Sequence, residues 1–256
     1  MHHIEMHEAT ESFESCWRAA ALHLTSQTKD SKLSWLKANL TPPFLEHLSF
    51  RLGNQLFFIY IEDIEGKVIG PGNSNGFKII AKGCNGHACR MPMRFNGSTW
   101  ETEIEGWGLI DDSTDRVIDP FSLVSDEKFE MTEWELHDFA VEVVSDYITQ
   151  KLNKEIISIC GNPGINPSIW FVNDGNPEAV VVRAVKYPEM DAKPPENIED
   201  IIKACTKMGR LRYFASVAAA NTNDTFDPEI PPLPLWRGHG MHVRFTGLEE
   251  LHETKV

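Results

Sequence analysis

The chain has 256 residues, of which 41% are hydrophobic and 24% are charged, and its formal net charge is −14. This composition indicates a soluble globular protein, and no apolar run approaches the ~18 residues that a membrane-spanning helix needs. Proteins that bind duplex nucleic acid usually carry clustered Lys and Arg, so neither a duplex nor a membrane is expected as a partner. Five cysteines, an odd number, favour reduced thiols in a cytoplasmic protein over a disulfide framework.

The first half of the chain is predicted to hold two helices followed by an antiparallel sheet. Apolar residues recur at helical spacing over residues 13–24 and again over residues 33–40. From Leu48 the period changes to two, which indicates a hairpin that turns at Gly53-Asn54. Two Asn-Gly pairs further on are typical of type I′ turns and predict an antiparallel meander. Its strands are residues 77–83, 87–95 and 98–104.

One candidate metal site lies in this half. Cys84, His87 and Cys89 have the spacing C-x2-H-x-C across a tight turn, and thiolate and imidazole are common zinc ligands. A structural zinc needs four ligands, and no second pair follows at the usual spacing. The alternative interpretation is that the cysteines pack inside strands as small hydrophobic residues. We therefore expect no cofactor, with zinc at these residues as the alternative.

The second half has a distinct order of elements. The capping box Thr132-x-x-Glu135 begins a helix that is predicted to end near Gln150. Three strands, a second helix and a last strand follow, at residues 155–160, 168–172, 179–187, 196–208 and 211–219. The predicted fold class is α+β, in which an N-terminal antiparallel sheet with two helices packs on a C-terminal αβββαβ unit.

This order of elements resembles the PD-(D/E)XK, or restriction-endonuclease-like, superfamily. In that family an acidic residue on the first helix, an Asp on the second strand and a Glu-x-Lys on the third strand surround magnesium. The resemblance implies that Glu135 is the helix acid and that Lys186 is the third-strand lysine. The Asp and Glu positions fall on Ser168 and Ala184, so both core metal ligands are replaced.

The replaced ligands lead to two predictions of function. The first is a non-catalytic binding or interaction protein on a nuclease-like scaffold, with a protein or a small molecule as its partner. The alternative is a metal-dependent nuclease or other hydrolase with a displaced active site. In that case magnesium would be held by neighbouring acids such as Asp174, Glu178 and Glu189. Loss of both core ligands favours the binding protein.

The C-terminal tail adds two candidate site residues. Residues 227–235 are rich in proline and are followed by Trp236-Arg237-Gly238-His239-Gly240. Arg237 is suited to bidentate binding of a carboxylate or phosphate, and the flanking glycines leave His239 accessible as an acid, a base or a ligand. In a hydrolase these two residues would meet Glu135 or Lys186 in one pocket. The alternative for His239 is an ordinary exposed turn.

The two halves are predicted to join at the polar residues 125–131, which gives domains of residues 1–125 and 126–256. This segment is short and lacks the composition of a flexible tether. The tail beyond Asn221 carries a predicted strand, residues 241–245, whose backbone polar groups need partners in a sheet. We expect this strand to return to the N-terminal half.

Overall fold

The computed structural model describes residues 9–28, 33–40, 47–70 and 74–251. The chain divides into two compact units, residues 2–127 and residues 128–256. Both units combine helices with a mixed sheet, which confirms the α+β class. Within the described ranges no helix is long and apolar enough to cross a membrane.

The N-terminal unit is built on a seven-stranded sheet with the strand order β1-β2-β3-β4-β6-β7, in which β5 also pairs with β4. Its strands are β1 (Ser34–Lys37), β2 (Leu48–Leu52), β3 (Gln55–Asp63), β4 (His87–Phe95), β5 (Trp100–Thr102), β6 (Ile110–Asp111) and β7 (Arg116–Val117). Its helices are α1 (Glu11–Gln27), α2 (Ser74–Gly83) and α3 (Pro120–Leu123). Apolar residues of α1, among them Phe13, Trp17 and Leu24, pack on Phe50 and Phe57 of the sheet.

Three details of this unit differ from the sequence prediction. The helix predicted over residues 33–40 is wrong, because β1 pairs along the edge of β2 and Trp35 packs edge-on against Phe50 at 6.0 Å. The strand predicted over residues 77–83 is also wrong. Residues 77–83 belong to α2, in which Phe77 and Ala81 are buried one helical turn apart. The sheet is mixed rather than antiparallel, because α2 is the crossover between the parallel strands β3 and β4.

The C-terminal unit has the predicted order of helix, three strands, helix and strand, which is confirmed. The elements are α4 (Glu133–Asp146), β8 (Ile156–Ile159), β9 (Ile169–Asn173), β10 (Asn176–Lys186), α5 (Ile198–Cys205), β11 (Arg210–Asn221), β12 (Met241–Phe245) and β13 (Glu249–Glu250). The π-helical segment Tyr147–Lys151 follows α4 directly. The sheet order is β12-β11-β10-β9-β8, with β13 also on β11.

Helices cover both faces of this sheet. Strand β10 pairs antiparallel with β9 and parallel with β11, and Ala179 to Val182 are completely buried, as expected for a central strand. Trp170 and Phe214 pack with Ile201 of α5. Leu136 of α4 packs with Ala219 of β11 and with Leu235.

The C-terminal tail stays within its own unit. Strand β12 pairs antiparallel with β11, with Met241 opposite Asn221 and Phe245 opposite Val217. The prediction that this strand returns to the N-terminal half is therefore wrong. The reason is that β11 extends over 12 residues and would otherwise leave backbone donors and acceptors unpaired along one edge.

Candidate functional site

The predicted helix acid lies at the beginning of α4, where the capping box fixes its position. The Thr132 hydroxyl accepts a hydrogen bond from the Glu135 backbone N–H at 3.2 Å. In return, the Glu135 carboxylate oxygen Oε2 accepts one from the Thr132 backbone N–H at 2.9 Å. Both bonds satisfy backbone N–H groups that have no partner inside the helix. The Glu135 side chain is therefore held in one orientation.

Glu135 forms a bidentate ion pair with Arg237. Arg237 Nε donates to Glu135 Oε1 at 2.8 Å and Arg237 Nη2 donates to Oε2 at 2.9 Å. The two side chains are only 3% and 10% exposed, and the guanidinium lies over the Phe129 ring at 5.7 Å. The structure thus brings these two predicted site residues together, and each neutralises the charge of the other.

Backbone pairing places Arg237 beside α4. The Arg237 N–H donates to the Phe129 carbonyl at 2.8 Å, and the Met131 N–H donates to the Leu235 carbonyl at 2.8 Å. Between them, Glu130 and Trp236 form an isolated antiparallel bridge. Residues 235–237 therefore run alongside residues 129–131, immediately before the helix.

Lys186 lies at the end of β10 near this segment. Its Nζ donates to Glu130 Oε1 at 2.7 Å and to the Met131 carbonyl at 3.3 Å. The two positions at which the resemblance would expect metal ligands, Ala184 and Ser168, make other contacts in the structure. Ala184 packs against the apolar cluster under α4, and the Ser168 hydroxyl accepts the Val182 N–H at 3.2 Å.

Two of the neighbouring acids are engaged by cations. Asp174 pairs with Lys154 and Glu178 pairs with Arg212, each at 3.0 Å. Glu178 lies near the start of β10, whereas Lys186 ends it. Eight strand residues span about 26 Å at roughly 3.3 Å per residue, which is too far for Glu178 and Lys186 to share one metal ion.

His239 lies on an exposed turn in which its backbone N–H donates to the Trp236 carbonyl at 3.1 Å. Its imidazole makes no hydrogen bond to any residue that the structure describes. The structure therefore brings Arg237 to Glu135 but adds no bond between either residue and His239.

The predicted zinc ligands do not form a metal-binding group. Among the described residues, no three His, Cys, Asp or Glu side chains are arranged to hold a metal ion. Cys89 is buried, and burial, with the charges of Asp111 and Asp112, raises the pKa of its thiol well above the ordinary value. His87 Nε2 lies 3.1 Å from the Gln55 amide oxygen. Buried Cys84 and Cys89 thus agree with the packing interpretation.

Sequence reasoning missed two polar side chains, Arg183 on β10 and His137 on α4. Arg183 Nη1 donates to the Val182 carbonyl at 2.7 Å, and Nη2 donates to the Asn166 amide oxygen at 3.0 Å. His137 is only 3% exposed, and its Nε2 atom has no hydrogen-bond partner. Burial, together with the nearby Arg183 charge, lowers the His137 pKa to about 4. An arginine inside the apolar run of β10 was the available sequence signal.

A comparison with known protein families gives one match, and it covers most of the C-terminal unit. Residues 134–251 match a domain of unknown function, DUF8840. The matched range begins inside α4 and includes every later element of the C-terminal unit, so it contains Glu135, Lys186 and Arg237. No curated protein and no solved structure gives a significant match to the chain.

Proposed function

We propose that the protein is a non-catalytic binding protein on a scaffold that resembles the PD-(D/E)XK superfamily. Its partner is a protein or a small molecule. The observation that supports this proposal is the buried ion pair of Glu135 and Arg237. It occupies the helix acid, which is one of the two nuclease-like residues that the sequence retains.

The ion pair opposes metal binding at Glu135 for two physical reasons. Both carboxylate oxygens already accept hydrogen bonds from the guanidinium, and Oε2 also accepts the Thr132 N–H. A cation that approached Glu135 would also meet the positive charge of Arg237. Displacing the arginine would leave a guanidinium that is 3% exposed without a counter-charge, which costs several kcal/mol.

The other groups around the helix support the same proposal. Lys186 is engaged by Glu130 and by the Met131 carbonyl, so two of its three N–H donors are already used within the chain. The net charge of −14 disfavours a polyanionic duplex as the partner. All five cysteines lie among the described residues as thiols, which supports a location in a reducing compartment.

A cleavage assay on the full-length protein tests this proposal. Single- and double-stranded DNA and RNA are incubated with the protein and Mg²⁺ or Mn²⁺, alongside Lys186→Ala and the exposed control Lys193→Ala. We expect no cleavage above the level of Lys186→Ala. Metal-dependent cleavage that Lys186→Ala abolishes and Lys193→Ala retains would instead establish the alternative, a nuclease with a displaced site.

A further inference from the structure

A proline-rich loop, residues 225–234, lies between β11 and β12 in the C-terminal unit. Its residues form neither helix nor strand. Three of its apolar side chains, Phe226, Ile230 and Leu233, are 44–49% exposed. Large apolar side chains that are exposed close together mark contact surfaces. The proline loop is therefore a candidate for an interaction with a partner.

The prolines confine the second half of this loop to an extended backbone. Pro231, Pro232 and Pro234 each have a φ fixed at about −65°. A residue that precedes proline is restricted to the β or polyproline region, and Ile230, Pro231 and Leu233 all precede one. The segment therefore favours a polyproline II helix, which has three residues per turn. Ile230 and Leu233 then share one edge of this helix, and Pro231 and Pro234 share the next.

Hydrogen bonds hold the proline loop at both ends. At its start, the Asp224 carboxylate oxygen Oδ1 accepts the Phe226 N–H at 3.0 Å. The second oxygen of the same carboxylate, Oδ2, accepts the Leu233 N–H at 2.9 Å. At its end, the Asn221 side-chain amide donates to the Pro234 carbonyl at 2.7 Å. The loop is thus ordered before a partner binds, which lowers the entropic cost of binding.

The chemistry of the loop selects one class of partner. Its prolines lack N–H donors, so the segment is unsuited to adding a strand to another sheet. No Lys, Arg or His occurs among residues 223–236, whereas Asp227 and Glu229 are exposed carboxylates. These charges disfavour the anionic surface of a membrane. They favour a protein groove with basic residues at its rim.

We infer that Ile230-Pro231 and Leu233-Pro234 form a docking motif for a protein domain that binds polyproline helices in an aromatic-lined groove with a basic rim. Pro231 and Pro234 have the P-x-x-P spacing that such grooves recognise, as in WW and SH3 domains. The exposed Ile230 and Leu233 add apolar area beside the two prolines. The inference rests on the proposed binding function and names the class of protein partner.

Titration of purified, isotope-labelled WW and SH3 domains with the unlabelled full-length protein tests this motif. The two domains are the probes, and NMR follows the indole N–H signals of the tryptophans in their grooves. We expect saturable shifts with at least one domain, which a synthetic decaproline peptide should reverse by competition. Ile230→Ser and Leu233→Ser should each weaken binding about tenfold or more, the loss typical of an anchor side chain.

Ile79→Ser is the matched control, because Ile79 on α2 is 56% exposed, against 49% for Ile230, and it should leave binding unchanged. If neither domain responds, or if Ile230→Ser and Ile79→Ser bind equally, the inference is overturned. It is also overturned if Ile230→Ser removes self-association in analytical ultracentrifugation or binding to phosphatidylcholine vesicles, because the loop then serves another contact.

The same experiment separates this inference from the proposed function. Cleavage of nucleic acid together with Ile230-dependent binding of a domain would overturn the proposed function and leave the docking motif in place. Absence of both cleavage and domain binding would overturn the motif and leave the proposed function in place.

Discussion

Replacement of Arg237 by methionine should strongly destabilise the C-terminal unit. Methionine fills much of the arginine volume but leaves the Glu135 carboxylate, which is 10% exposed, without its counter-charge. Two charge-assisted hydrogen bonds are lost, and breaking a buried pair in this way typically costs about 3–5 kcal/mol. That is a large share of a total stability of about 5–15 kcal/mol.

Urea unfolding followed by circular dichroism measures this loss as a change in the free energy of unfolding. The double variant Glu135→Gln with Arg237→Met should recover part of the loss, because a neutral amide at residue 135 still accepts the Thr132 N–H and leaves no buried charge. Arg210→Met is the exposed control. A change below about 1 kcal/mol in Arg237→Met, the range of surface ion pairs, would refute the structural role assigned to this pair.

Three further predictions concern the same unit. Burial lowers the pKa of His137 in the folded state to about 4, against an ordinary 6.5. The free energy of unfolding should therefore be highest above pH 6.5 and should fall by up to roughly 3 kcal/mol as the pH is lowered towards 4. His137→Gln should flatten this part of a pH series of urea titrations, and an unchanged profile would contradict the burial effect. Gly209→Ala should lower the free energy of unfolding by about 1–3 kcal/mol, because the added Cβ would lie 2.5 Å from the Pro177 carbonyl oxygen. Thermal melts of this variant and of the control Gly164→Ala measure the effect. The control should be only mildly destabilised, because its added Cβ would have its nearest contact at 3.3 Å. Ending the chain at Asn221 removes β12 and the Glu135 counter-charge, so limited proteolysis should digest residues 128–221 rapidly, whereas a resistant fragment would show the tail to be dispensable.

The order of elements in the C-terminal unit was predictable because its signals are local. The Thr132 capping box fixes the start of α4, and the apolar run in β10 marks a central strand. The destination of β12 was not predictable in this way. A strand needs only some sheet edge, and which edge is open depends on the assembled sheet rather than on the strand sequence.

The candidate site was predictable in its residues but not in their arrangement. Glu135 and Arg237 stand out in the sequence, yet their separation along the chain hides the fact that they neutralise each other. His137 was missed because the buried stripe of α4 includes His137, Val141 and Val144. A search for apolar residues at helical spacing does not count a histidine, because histidine is polar and is fully buried less often than apolar residues.

Manganese binding tests most directly the claim that the Glu135–Arg237 pair replaces a metal site. Full-length protein is titrated with Mn²⁺ and the free ion is measured by electron paramagnetic resonance, beside Glu135→Gln. We expect only weak, non-saturating association of Mn²⁺ with the acidic surface, equal in both proteins. Saturable binding of one Mn²⁺ per chain that Glu135→Gln abolishes would contradict it.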